Sequence, residues 1–112
     1  MRTVCEIAAV SAISCFIAVA ALADEAYVAA RGKNILAANC ARCHAIEADG
    51  KSPHREALPF RQVVLRYPPE QLAEALAEGI MSGHPDMPEF TFEPADIAAI
   101  VAYLATLKPG LE

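Results

Sequence analysis

The chain has no tryptophan, and phenylalanine and tyrosine together make up only 6% of its 112 residues. Much of its apolar content is alanine, which buries little surface per residue, so the side chains alone offer a thin core. Basic residues are outnumbered, nine against fourteen acidic, and they form no stripe, which argues against a nucleic-acid surface. No internal repeat and no low-complexity linker is present. No segment alternates apolar and polar residues over a convincing length, so strands are not expected. The mild excess of negative charge keeps the chain soluble and sets encounter rates and partner choice more than affinity.

The first residues read as a leader rather than as fold. Arg2 supplies a short positive region, Ile7 to Leu22 is apolar, and Ala21-Leu22-Ala23 is a small-residue cleavage pattern followed by Asp24-Glu25. Residues 1–23 are therefore expected to be a secretory signal peptide, with 24–112 as one domain exported to the periplasm. Retained, the same segment would be a membrane anchor at the short limit for spanning. Cys15 gives a faint lipidation signal with a poor match at Ala12. Removing the leader takes Arg2 and Glu6 together and leaves the net charge at −5. It also takes Cys5 and Cys15, so no sulfur remains for a disulfide framework beyond Cys40 and Cys43.

Those two cysteines carry the most specific signal, Cys40-Ala41-Arg42-Cys43-His44. Two thiols three residues apart on one helical turn point the same way and can add to the two vinyl groups on one edge of a porphyrin. His44 follows directly, and a neutral imidazole nitrogen is a strong iron ligand. A thioredoxin-type pair would want a βαβ context, and a zinc site would want a second ligand pair. Neither is visible. The motif predicts one covalently attached haem c per chain, held through Cys40 and Cys43. A porphyrin would also supply the missing core of so small a domain.

Three helices are expected in the domain. One runs from about Asp24 to Asn39, with Gly32 inside it. Since glycine within a helix costs about 1 kcal/mol against alanine, close approach of another helix is its expected reason. A second runs from about Pro69 to Glu78 and stops at Gly79, with Glu70, Glu74 and Glu78 on a solvated face. The third, Pro94 to Leu107, carries the stripe Ile97, Ile100, Val101 and Leu104 and is ended by Lys108-Pro109-Gly110. The long segment from Ala45 to Pro68 contains at most a helical turn near Phe60 to Arg66. The fold class is all-α, a few short helices wrapped around the haem.

Iron held by His44 has one further axial position. Met81, Met87, His54 and His84 are the candidates. Met87 is favoured because it lies in the turn-rich run Ser82-Gly83-His84-Pro85-Asp86-Met87-Pro88, where irregular backbone can hold a thioether over the ring and so raise the reduction potential. Met81 reads as core filler and the two histidines as solvent-facing. Leu58, Phe60, Leu72, Ile80, Phe90 and Ile97 are expected to bury the ring.

With its haem motif, Met87-Pro88-Glu89-Phe90 and Asp96-Ile97-Ala98-Ala99-Ile100-Val101-Ala102-Tyr103-Leu104 in that order, the chain resembles a class I c-type cytochrome over residues 24–112. The resemblance implies that the first and last helices cross, with Gly32 against the face near Tyr103. It implies that His44 gives its other ring N–H to a proline carbonyl, matched here to Pro59, with Pro53 as the alternative. Ile35 stands where the family often has an aromatic residue, and the family's common tryptophan is absent. The implied function is a carrier of single electrons that docks transiently with redox protein partners at an exposed haem edge and is not an enzyme. The alternatives are a dedicated cytochrome subunit of a periplasmic dehydrogenase or reductase, and a haem sensor or enzyme with an open axial site.

Overall fold

The computed structural model describes residues 3–79 and 86–109, with side chains from Ala18 onward. Four helices make the fold: α1 (Thr3–Asn39), α2 (Phe60–Arg66), α3 (Pro69–Glu78) and α4 (Pro94–Thr106). No strand occurs among the described residues, as the missing alternation predicts.

α1 is longer than expected, because the helix runs through residues 3–23 without a break. Residues 3 to 31 contain neither glycine nor proline and are rich in alanine, so nothing stops the helix at Ala23. Asp24 and Glu25 consequently lie mid-helix rather than at an N-terminus. Residues 18–27 are all exposed, and from Ala18 onward burial begins beyond Tyr27. The Cα radius of gyration is 19.2 Å, against about 13 Å for a compact chain of this length. The difference is the free rod of α1 projecting from the domain. Among the described residues, no helix is long and apolar enough to cross a membrane.

Prolines set the other helix starts. Pro69 and Pro94 occupy first-turn positions, where a missing N–H leaves no bond unmade. Pro59 precedes α2 and accepts hydrogen bonds from the backbone N–H groups of Gln62 and Val63. The turn expected near Phe60 is thus a full short helix. α3 stops at Gly79, whose φ of 96° is strained for any residue with a Cβ.

The core lies where α1 meets α4, with α3 and α2 packed on α4. Leu36, Ile100 and Leu104 are essentially inaccessible, and Ile46, Val64, Leu76, Ile97 and Tyr103 close around them. Gly32 is buried at the crossing, where a Cβ would overlap the backbone carbonyl of Ala99. The close approach is therefore as expected, and Ala99 stands one helical turn before Tyr103 on the same face of α4. Tyr103 donates from its hydroxyl to the carbonyl of Ile46 at 2.8 Å, tying α4 to the chain just beyond His44.

Candidate haem site

α1 ends in a turn that sets the spacing of the two sulfurs. Cys40 and Ala41 donate their backbone N–H groups to the Leu36 carbonyl, and Cys43 and His44 donate theirs to the Cys40 carbonyl. Asn39 closes the helix end by donating from its side-chain amide to the Ile35 carbonyl at 2.8 Å. Cys40 and Cys43 are thus one helical turn apart and both half-buried. Burial pushes the Cys40 thiol up to about 11, and the neighbouring Cys43 adds to the rise. A redox-active cysteine pair has its nucleophilic thiol lowered instead, so this environment counts against a thioredoxin-like role.

His44 is held from two sides. Its Nδ1–H donates to the Leu58 carbonyl at 2.7 Å, and its ring stacks on Phe60 at 5.0 Å between centroids and 26° between planes. Phe60 is itself fixed by its N–H on the Ala45 carbonyl at 2.9 Å, and Ala45 donates its N–H to the Ser52 hydroxyl at 3.0 Å. With Nδ1 committed as donor, the lone pair falls on Nε2, the nitrogen left to bind a metal.

The acceptor corrects the expectation of a proline carbonyl. It belongs to Leu58, one residue before Pro59, while the Pro59 carbonyl is taken up by α2. Pro59 still matters, because a residue before proline is driven to extended backbone. That restriction helps aim the Leu58 carbonyl at the imidazole. Pro53 makes no hydrogen bond to His44.

Cys40, Cys43 and His44 line a cavity of about 860 Å³, within the usual size range of a small-molecule site. Met87, from the segment between α3 and α4, lines the same cavity. Its walls are mostly apolar: Leu58, Phe60, Leu72 and Phe90, as expected, together with Ile100 and Leu104. Ile97 does not line it. On α4 it turns toward the core and a shallow groove beside α3, one helical turn before Ile100. Arg42, Glu56, Arg66 and Asp86 also line the cavity yet are exposed, which places them at its mouth. Ile80, Met81 and His84 lie outside the described residues.

His54, a candidate ligand, lines the cavity but has both ring nitrogens engaged. Nδ1 accepts the Glu56 N–H at 3.2 Å, and Nε2–H donates to Asp86 at 3.3 Å. That pairing, and the Leu58 carbonyl, are the site features that the sequence did not reveal. The nearest hint was Asp86 standing next to Met87.

The residues present fit a porphyrin: two thiols on one turn, an oriented imidazole beside them, a thioether on the same cavity and apolar walls of adequate volume. Such an all-α domain, with its ring-holding turn at the end of the first helix, is a covalent haem protein. The chain belongs to the cytochrome c family, electron-carrying proteins with haem c bound through cysteines, and the family model "Cytochrome c" matches residues 29–108. It is also similar to "Cytochrome c-552" of Bradyrhizobium diazoefficiens, 31% identical over 110 residues that take in 97% of this chain and 96% of that relative. No solved structure matches the chain significantly.

Proposed function

We propose that residues 24–112 carry single electrons between redox protein partners in the periplasm, after residues 1–23 have directed export and been removed. The observation that carries this reading is His44, lining the 860 Å³ cavity with Nδ1 tied to Leu58 and Nε2 left for iron. Bound haem would supply an iron that moves between ferric and ferrous states.

The chain's own residues do the rest. Cys40 and Cys43 would hold the ring edge as thioethers, each thiol adding its S–H across a vinyl group. His44 and Met87, which line the same cavity, would both hold the iron, which would leave it no open site for a substrate and supports a carrier over an enzyme. Leu72, Phe90, Ile100 and Leu104 on the cavity wall would keep water from the ring, which would favour the less charged ferrous state. Partners would meet the exposed ring edge at the cavity mouth, in encounters that are small and brief.

The test is spectroscopic. Met87→Ala should abolish the near-infrared methionine–iron charge-transfer band of the ferric protein, and Met81→Ala should keep it. The reverse result would move the ligand to Met81. Rapid carbon monoxide binding by the unmodified ferrous protein would favour the open-site alternative.

A further inference from the structure

We propose that His54 and Asp86 are a positioning pair that straps the Met87 segment across the cavity mouth to the haem-attachment turn. The inference deepens the electron-carrier reading and rests on Met87 being the axial ligand.

Three bonds make the strap. The backbone N–H of His54 donates to the Cys43 carbonyl at 3.1 Å, anchoring His54 to the turn that holds the ring. The Glu56 N–H donates to Nδ1, which fixes the imidazole and leaves the proton on Nε2. Nε2–H then reaches Asp86, 32 residues away, at 3.3 Å. Asp86 is the immediate neighbour of Met87, and both residues of the pair line the cavity.

On its other side the Met87 segment is pinned to α3, where the Phe92 N–H donates to the Leu76 carbonyl at 3.1 Å. Met87 therefore hangs between two anchors. Among the described residues, His54–Asp86 is the one hydrogen bond or ion pair that links this segment to the loop after the haem motif.

The pair is exposed, with 35% of the His54 side chain and 74% of that of Asp86 accessible. Exposed pairs contribute little to global stability. A link that spans an opening instead acts on local opening, which global unfolding does not report. Its loss should raise the fraction of time in which Met87 stands away from iron, by the factor of about two to five that such a pair can carry.

The experiment uses the ferric holoprotein. An external ligand can bind only when Met87 has left, so cyanide association reads the open population. His54→Ala and Asp86→Ala should each speed cyanide binding by about two- to five-fold, with the guanidinium unfolding midpoint unchanged. The double variant should be no faster than either single one, because both remove the same link. His54→Gln, which keeps a donor toward Asp86, should return to near the original rate. Unchanged rates in the single variants, or additive effects in the double, would overturn the strap while the methionine–iron band stayed intact. An unmodified protein without that band would overturn the Met87 reading itself, and the strap with it. Loss of six-coordination in His54→Ala alone would make His54 the ligand and overturn both.

Discussion

Gly32→Ala sets two effects of opposite sign against each other. On an open helix face, alanine in place of glycine stabilises by about 1 kcal/mol. Gly32, however, is buried at the α1–α4 crossing, and an added Cβ would overlap the Ala99 carbonyl and lie 2.9 Å from the Ile100 nitrogen. These are backbone atoms of a packed helix, so no side-chain rotation relieves the clash. Relief requires α1 to shift, which loosens Leu36 against Ile100, two of the most completely buried side chains. Overpacking of this kind costs about 1–3 kcal/mol, and an unyielding obstacle puts the site at about 2.5 kcal/mol. Subtracting the propensity gain leaves a net loss of about 1.5 kcal/mol. With a slope of about 3 kcal/mol/M, the guanidinium midpoint of the holoprotein should fall by about 0.5 M. Ala37→Gly, on the exposed side of the same helix, provides the control and should lose about 1 kcal/mol through propensity alone. A Gly32→Ala variant as stable as the parent, or more stable, would refute the close crossing.

Two other outcomes follow from the same packing. Tyr103→Phe removes the donor to the buried Ile46 carbonyl and should cost about 1–3 kcal/mol at neutral pH. It should also flatten the alkaline limb of stability. Burial, and secondarily the charge of Glu47, raises the Tyr103 hydroxyl above its ordinary 10.0, with Lys33 opposing. Its contribution is therefore complete below pH 10 and is lost as pH climbs through the raised value. Equal alkaline slopes in the two proteins, measured by denaturant unfolding, would contradict this. Cys40→Ser/Cys43→Ser, which cannot hold the ring covalently, should show little helical circular dichroism in the exported form. Without the ring, the mostly apolar walls of the 860 Å³ cavity would have nothing to pack against, and so small a domain has little stability in reserve. A native-like helical spectrum from haem-free protein would contradict this.

The helices were legible wherever local chemistry marks their ends. Pro69 with Gly79, and Pro94 with the Lys108-Pro109 stop, bound α3 and α4 to within a residue of the expected limits. The cysteine turn was legible because three adjacent functional groups specify it. The start of α1 was not, since the small-residue pattern at Ala21-Leu22-Ala23 has no backbone consequence, and alanine-rich chain stays helical through it. Features that join distant segments were the hardest to read. Which carbonyl meets His44 depends on how the chain enters α2, so Pro59 marked the place while Leu58 supplied the atom. Ile97 and Ile100 share an apolar stripe, yet only packing decides which faces the cavity. Nothing local to His54 points to a partner 32 residues away.

Because every side chain from Ala18 to Tyr27 is solvent-facing, and Gly32 is the first fully covered residue from Ala18 onward, this stretch of α1 has slack ahead of the packed helices. A peptidase that cut a few positions early or late would remove no packed atom. Forms of the protein that begin at different positions between Ala18 and Tyr27, told apart by mass, should therefore share one melting curve and one spectrum.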